Sequence, residues 1–535
     1  MNKKIFVNQC GYMPEAKKQI TFRSDVPVDF SVFRMNSEEA PFEGRAEKKI
    51  ISEAEGETDH IADISAVREP GVYGIRAEKA GESDLFVVGD TVYDECLRKA
   101  LYMFYLHRCG QELTREHAGD YAHPCCHDTE ALVYGTNMKK EVNGGWHDAG
   151  DYGRYVGPGA MAVIQLLMAY EAYDKLGQLC ETPVAEESVF PPILEEIKYE
   201  LDWMLKMQNE KGELYHKVTC RTFCGYVMPE KETDELVISP PSVTATADFA
   251  AACAMAVRFY EPYDKEYAHI LGKASRKAYE AMKQMEMPGG FKNPEGIVTG
   301  EYGDTCDEDE RYFAAAALYK AFGEEGYRRD FEEIASRKIY EGYGWEDMGS
   351  YGNIAYLSSG REVDKAVKER IETSIKKRGE DLYQTSRGDG YGVSLKKEEY
   401  IWGSNLLVAN NGIQLLDAYR LTGDKKYYEA AWEQFHYLLG RNPMGFCYVT
   451  GIGTQPVMRP HHRPSAAAGK AMPGMLSGGP CDWMADELAK DLLEGNSVPP
   501  AKCFLDMMGS YSTNEITIYW NSALICLIAG LLKEM

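Results

Sequence analysis

Gly144-Gly145-Trp146-His147-Asp148-Ala149-Gly150-Asp151-Tyr152-Gly153-Arg154-Tyr155 runs into an apolar stretch, Ala160 to Tyr173. Asp148 and Asp151 stand three residues apart on a backbone that glycines leave tightly turned and open to close approach. The apolar run has helical length, so the two carboxylates are expected on a loop entering a buried helix. Trp146 and Tyr152 flank the pair with rings that suit stacking on a sugar or packing on a neighbour. Two acids held this way can orient and deprotonate a water. The competing reading is an Asx-rich turn that caps the helix.

Downstream and upstream of this loop the apolar pattern differs. From Tyr93 onward it cycles with helical period, as in Leu97, Leu101, Phe104-Tyr105, then Ile193, Ile197, Leu201, Met204-Leu205, then Phe249, Ala252-Cys253, Ala256, Phe259-Tyr260. Further helical patterns fall near 265–284, 308–322, 327–339, 361–377, 404–420, 425–439 and 515–533. About a dozen helices follow, with almost no alternating pattern and no sequence-level repeat. Long connections rich in Gly, Pro and Tyr, at 286–303 and 440–513, are where function should concentrate. A ring of paired helices with its loops gathered at one end fits this pattern. Residues 3 to about 90 alternate instead. Ile5-Val7, Ile20-Phe22, Val28-Phe30-Val32, Val72-Gly74-Ile75 and Leu85-Val87-Val88 read as strands of a sandwich of roughly seven. The sandwich carries no catalytic-looking cluster and reads as a structural or docking module. The expected division is 1–90 and 91–535.

At 535 residues the chain is long enough for two or more domains. Its net charge of −25 excludes a nucleic-acid partner and an anionic membrane surface, and suits a neutral substrate. Aromatics are generous, with 36 Tyr and 7 Trp. The first residues hold no apolar h-region, and no run of about 18 apolar residues occurs that would span a membrane. The 14 cysteines are scattered without framework spacing and read as reduced thiols, some of them metal ligands. The protein is expected to be a cytoplasmic monomer, or extracellular if a leader is removed from it.

Two further stretches carry chemistry. Arg441-Asn442-Pro443 through Val449-Thr450-Gly451 closes on Pro460-His461-His462-Arg463, a stiff ridge of donors suited to sugar hydroxyls and a carboxylate. Tyr511-Ser512-Thr513-Asn514-Glu515-Ile516 leads into the last apolar helix, Ile518 to Leu532. There Asn514 or Thr513 can cap the helix and Glu515 can answer its dipole. Alternatively Glu515 is a partly buried acid of raised pKa, able to protonate a leaving group.

The Asp loop, the Leu438-Leu439-Gly440-Arg441-Asn442-Pro443 to His461-His462-Arg463 stretch and the Tyr511–Glu515 segment resemble, in this order, family 9 glycoside hydrolases. Ile5-Phe6-Val7-Asn8-Gln9-Cys10-Gly11-Tyr12-Met13-Pro14 resembles the opening of the immunoglobulin-like domain found in one branch of that family. The resemblance spans essentially the whole chain. It implies an all-α (α/α)6 barrel preceded by a small all-β immunoglobulin-like sandwich. The implied activity is an inverting endoglucanase that cleaves β-1,4 bonds in glucans or their soluble oligosaccharides, with no organic cofactor. Carried over by position, Asp151 is the general base, Asp148 its partner in holding the water, and Glu515 the general acid. His461 and Arg463 line the subsite next to the cleaved bond, Trp402 is an aromatic platform beside it, and Tyr511 and Trp520 join the substrate-binding set. Where many members carry Tyr, this chain has Trp520, which keeps a donor and a stacking face but moves the polar atom.

The resembling branch also holds metals. Cys109, Cys125, Cys126, His127 and His147 gather around the Asp loop in sequence, and a closed tetrahedral set would be structural zinc. Cys109, Cys126, His127 and His147 are the expected ligands, with Cys125 the rival; Arg154 stands where some relatives have His. Free buried thiols and hydrogen-bonded histidines are the alternative. In the acidic run Gly303 to Glu310, a solvated helix start competes with a calcium site of Thr305, Asp307, Asp309, Glu310 and Asp347. The competing activities are an exo-acting β-glucosidase or exo-β-glucosaminidase on short oligosaccharides, and a non-catalytic carbohydrate-binding protein. Insertions near 114–143 and 211–240 would decide between endo and exo action by blocking, or not blocking, one end of the cleft.

Overall fold

A computed structural model describes residues 3–37, 40–184 and 187–535. Ten strands come first among the described residues: β1 (Ile5–Phe6), β2 (Gly11–Tyr12), β3 (Gln19–Arg23), β4 (Val28–Arg34), β5 (Phe42–Ala46), β6 (Lys48–Ser52), β7 (Glu57–Asp63), β8 (Gly71–Ala77), β9 (Gly81–Glu82) and β10 (Phe86–Val88). They form two sheets, ordered β1-β3-β7-β6 and β2-β10-β8-β4-β5, with β9 on β8. All pairs are antiparallel except β10 on β2. Val28, Phe30 and Val32 of β4 point inward while Asp29 between them is exposed, the alternation expected of a half-buried strand. All five strands expected from the sequence are present. The polar strands β5, β6 and β7 escaped it. In β7, Asp59 and His60 are buried although the segment reads Glu-Thr-Asp-His-Ile-Ala-Asp.

Twelve helices of nine residues or more follow among the described residues: α1 (Asp94–Leu106), α2 (Val156–Ala172), α3 (Pro192–Met207), α4 (Val243–Tyr260), α5 (Lys265–Met282), α6 (Glu308–Phe322), α7 (Glu325–Arg337), α8 (Gly349–Leu357), α9 (Lys365–Arg387), α10 (Ser404–Thr422), α11 (Lys425–Leu438) and α12 (Ile518–Lys533). The even-numbered helices are buried on nearly every side, and α12 packs on α2, α2 on α4, α4 on α6, α6 on α8, and α10 on α12. Helices apolar all round belong inside, and those with one apolar stripe, such as α5, α7 and α9, pack outside them. This is the (α/α)6 barrel. Helix α8, Gly-Ser-Tyr-Gly-Asn-Ile-Ala-Tyr-Leu, was not legible because its glycines and tyrosines mask the period. Among the described residues no helix is long and apolar enough to cross a membrane.

One expectation needs correcting. The helical region is not free of strands. Ala131–Val133 (β11), Lys139–Lys140 (β12), Arg154–Tyr155 (β13), Lys217–Thr219 (β14) and Val237–Ile238 (β15) form a third sheet, ordered β12-β11-β15-β14-β13. Two- and three-residue strands carry too few residues for a period of two to register. The sheet ties the 114–143 and 211–240 segments to the end of the Asp loop, where Arg154 pairs with Val218.

The sandwich docks through its opening segment. Asn8 Nδ2 meets His436 Nδ1 at 2.9 Å, the Gln9 amide donates to the Leu439 carbonyl at 2.9 Å, and Gln9 Nε2 donates to the Gly445 carbonyl at 2.7 Å. Asn8 and Gln9 are buried there. The N-terminal motif therefore acts as a seam against the barrel.

Candidate active site

The residues just ahead of the inner helices converge at one mouth of the barrel. The Asp loop precedes α2, Tyr302 precedes α6, Trp345 precedes α8, Trp402 precedes α10 and Glu515 precedes α12. Tyr302 is the hub. Its ring meets Tyr155 at 4.9 Å, Trp345 at 5.1 Å and Tyr519 at 6.2 Å, and its hydroxyl donates to Asp148 Oδ2 at 2.6 Å.

The Asp loop starts with Gly144 and Gly145 at φ +100° and +76°, conformations that a side chain would strain. The Asp148 amide donates to the Gly153 carbonyl at 3.0 Å, and the Asp148 carbonyl accepts from the Ile518 amide at 2.8 Å, which pins the loop to the start of α12. Asp151 Oδ2 accepts from the Gly153 amide at 3.1 Å and the Tyr155 hydroxyl at 3.0 Å. Both bonds fall on one oxygen and leave Oδ1 for other work. Asp148 Oδ1 is buried with no partner among the described residues. Burial, and then the Asp151 charge, push the Asp148 carboxyl well above the ordinary range.

Glu515 lies where the sequence left two readings open, and the backbone separates them. Residues Tyr511–Asn514 form their own short helical turn, and α12 starts only at Ile518, capped by Thr517, whose side chain accepts from the Trp520 amide at 3.1 Å. Neither Thr513 nor Asn514 caps α12, and Glu515 is not in its first turn. Glu515 is extended at φ −68°, ψ 164°. Its backbone is bridged to His461, and its carbonyl accepts from the Gly478 amide at 2.8 Å. Burial first, and then the charges of Asp151 and Asp148, push its carboxyl well above the ordinary range, against a Gly150 amide that favours the ionised form.

Gly150 sits between the acids. A Cβ there would lie 2.8 Å from His461 Cδ2, closer still to the His461 carbonyl oxygen, and 3.2 Å from Glu515 Oε1. A Cβ at Gly153 would lie 2.7 Å from Asp151 Oδ2. Gly150 thus allows the loop to press against the His461–Glu515 wall, and Gly153 allows it to fold back on Asp151 and Tyr155.

His461 Nδ1 lies 2.7 Å from the Met508 carbonyl, which can only accept, so the proton is on Nδ1 and the lone pair on Nε2. Burial holds this imidazole below its ordinary pKa, hence neutral. Arg463 spends Nη1 on the Gly150 carbonyl at 2.6 Å and Nε on the Cys224 carbonyl at 3.1 Å, so it holds the Asp loop in place. Trp402 is 38 % exposed, and its ring meets Tyr511 at 5.1 Å. Tyr511 meets His461 at 5.8 Å, and His461 meets Tyr226 at 5.7 Å, which completes a wall of four rings. Trp520 is 3 % exposed and lies under this wall, where its ring abuts Gly403 and Gly478. It braces the Trp402 turn.

Sequence reasoning missed Tyr302, Tyr226 and Lys217, and gave Tyr155 no role. Tyr155 was within reach, four residues after Asp151. Tyr302 has the left-handed φ of +46°, which no pattern in the sequence marks. Lys217 is fully buried, donates to Thr299 Oγ1 at 3.0 Å and lies 5.5 Å from the Tyr155 ring, fixing the loop that delivers Tyr302.

Beside the Asp loop, ligand atoms of Cys109, Cys126, His127 and His147 lie within 4.8 Å of one another, all buried. Cys125 is exposed and outside the group. Arg154 Nη1 is spent on the Val142 and Gly144 carbonyls at 2.6 and 2.8 Å. His127 meets Glu232 Oε2 at 3.0 Å through Nε2, while its buried Nδ1 has no partner. An imidazole oriented by a carboxylate, with its other nitrogen turned to two sulfurs, fits tetrahedral zinc.

The acidic run differs from expectation. The group whose oxygens lie within 4.8 Å of one another is Asp304, Asp309 and Glu310. Asp307 and Asp347 lie outside that group, Asp307 paired with Arg311 at 3.0 Å and Asp347 accepting from the Gly349 amide at 2.9 Å, and Thr305, next to Asp304, is exposed. Asp304 had been passed over. Oxygens of Asp304, Asp309 and Glu310 are buried without partners, which suits a hard cation such as calcium.

The model of glycosyl hydrolase family 9 matches residues 93–528, and that of the cellulase N-terminal ig-like domain matches residues 1–82. A cellodextrinase of Butyrivibrio fibrisolvens is 37 % identical over 99 % of this chain and 100 % of its own length. A thermostable endoglucanase of Alicyclobacillus acidocaldarius superposes with a TM-score of 0.94 at 35 % identity, covering 99 % of both chains. A structure of AaCel9A in complex with cellobiose-like isofagomine superposes at 0.93 with 34 % identity, covering 99 % of this chain and 100 % of that one.

Proposed function

This chain belongs to glycosyl hydrolase family 9, and from that premise we propose that it is an endo-acting, inverting hydrolase of β-1,4-glucosidic bonds in glucans and their soluble oligosaccharides. One observation carries the reading. The unpartnered Asp148 Oδ1 and the free oxygen of Asp151 face, across Gly150, a glutamate whose carboxyl is pushed toward its protonated form. Inversion needs such a pair, with room for a water between base and sugar, a separation of about 6.5–9.5 Å.

Asp151 takes a proton from the water, and Tyr155 and the Gly153 amide fix the carboxylate's orientation. Asp148, held by Tyr302, positions that water. The water's oxygen bonds to the anomeric carbon from one face while the glycosidic bond breaks on the other, and Glu515 delivers its proton to the departing oxygen. His461, neutral with its lone pair on Nε2, accepts from a sugar hydroxyl. The wall of Trp402, Tyr511, His461 and Tyr226 offers stacking faces for successive sugars.

Zinc held by Cys109, Cys126, His127 and His147 would tie the 109–127 segment to the Asp loop. Calcium at Asp304, Asp309 and Glu310 would steady the start of α6. Two carboxyl groups suffice for the reaction, so either metal, when bound, would act structurally.

The exo-acting and non-catalytic alternatives are not favoured by the relatives named above. The test is product analysis on β-1,4 gluco-oligosaccharides of graded length with the anomer resolved. Internal cleavage releasing the α-anomer supports the proposal. Release of single sugars from one end refutes the endo reading, and β-anomer products refute inversion.

A further inference from the structure

Where the sandwich meets the barrel, ligand oxygens of Glu55, Glu57 and Asp59 lie within 4.8 Å of one another. Glu57 and Asp59 alternate on one face of β7, and Glu55 is in the turn before it. Opposite them is the loop after α9. Asp389 uses Oδ1 to accept from the Tyr391 and Val393 amides at 2.8 and 3.1 Å, and the Gly390 amide donates to Glu55 Oε1 at 3.3 Å. A Cβ on Gly390 would lie 2.9 Å from Asp59 Cγ, so only glycine lets the loop reach the carboxylates.

The partners of this cluster are unevenly distributed. Glu57 is well served, by Lys502 at 2.5 Å, Arg23 at 2.5 Å and the Tyr391 hydroxyl at 2.7 Å. Glu55 and Asp59 are wholly buried, and Glu55 Oε2 and both oxygens of Asp59 have no partner among the described residues. Arg441, the cation nearest Asp389, pairs with Glu433, so Glu55 and Asp59 are left as two carboxylates without a cation of their own. Unpaired buried carboxylates are costly enough that a protein neutralises them or coordinates a metal with them. Oxygen-only ligands of this kind suit a hard divalent cation.

We infer that Glu55, Asp59 and Glu57 form a calcium-type cation site that fastens the sandwich to the barrel, separate from the two metal groups beside the active site. One divalent ion balances the two uncompensated charges. The cation would bind the three oxygens that lack a hydrogen-bond donor, Glu55 Oε2 and both of Asp59, and would couple β7 to the 389–393 loop through Glu55. The site also explains why so polar a strand is buried at the seam.

The test uses the full chain, stripped with a calcium chelator, re-equilibrated with calcium, and analysed for bound metal. Glu55→Gln/Asp59→Asn keeps shape but removes the charge, and should bind one calcium fewer per chain than wild type, with zinc unchanged. Terbium luminescence gives a second readout, since Tyr391 lies against the site. It should fall by the share of one ion in the double variant. Asp59→Asn alone, the milder change, should weaken calcium binding at this site at least tenfold if the double variant does not fold. Equal calcium content and equal terbium emission in wild type and variants overturn the inference. So does a seam that shares protons only, seen as a melting temperature of Asp309→Asn, in which the Asp304 group is blocked, that follows pH but not calcium.

Discussion

Replacing Gly150 with alanine tests the active-site geometry without removing any functional group. The added Cβ would stand 2.8 Å from His461 Cδ2, where ordinary contact begins at 3.4 Å, so about 0.6 Å of movement is needed, and more against the His461 carbonyl. The loop cannot simply back away, because Arg463 Nη1 and the Arg463 amide hold the Gly150 carbonyl at 2.6 and 3.2 Å. Displacement of catalytic groups by about 1 Å can cost about 10²-fold in rate, or about 2.7 kcal/mol of transition-state stabilisation. We expect kcat on cello-oligosaccharides to fall by about 30- to 100-fold, while overpacking lowers stability by about 1–3 kcal/mol. The pH profile supplies the decisive readout. The Gly150 amide stabilises the ionised form of Glu515, so pushing the two apart raises the Glu515 pKa further and moves the basic limb of kcat/KM to higher pH. Wild-type turnover with an unmoved basic limb would show that Gly150 does not separate the acids as described.

Glu515→Gln should be nearly inactive on oligosaccharides yet keep far more of its rate on an aryl glycoside whose phenolate leaves unaided; equal fractional losses would remove Glu515 from the acid role. The same variant should gain stability relative to wild type as pH rises above about 4.5. The raised carboxyl makes the native state bind more protons than the unfolded chain there, and stability then falls with pH. Asp151→Asn should fold normally and lose about 10²–10⁴-fold in kcat, and near-normal turnover would exclude it as base. Glu232→Gln, which removes the carboxylate behind His127, should weaken zinc binding by about 10–100-fold and lower the zinc-dependent melting temperature, with unchanged initial rates while the chain remains folded.

The sequence alone carried what depends on local order. Helical period separated the barrel from the alternating sandwich, and the glycine spacing of 144–153 placed two carboxylates on a turn entering α2. Whole motifs in order marked the family, because a loop that must hold charged groups at fixed separations tolerates few residue types. Cys109, Cys126, His127 and His147 were legible as one group, and the fold brings their ligand atoms within 4.8 Å of one another. What stayed hidden depends on partners distant in the chain. Whether Glu515 answers a helix dipole or holds a proton was decided by Thr517, which starts α12 two residues later, and by burial against Asp148 and Asp151. Asp304, which the sequence reading did not name as a ligand, joins Asp309 and Glu310 in the acidic group, while Asp307 pairs with Arg311 and Asp347 accepts from the Gly349 amide. Trp520 turned from an open face into a brace once Gly403 and Gly478 closed over it. Tyr302 reached Asp148 only because the barrel brings the starts of α2 and α6 together. Residue type and spacing state which chemistry a loop can perform. Burial and charge at that loop are set by the far side of the fold, and these determine which carboxyl keeps its proton.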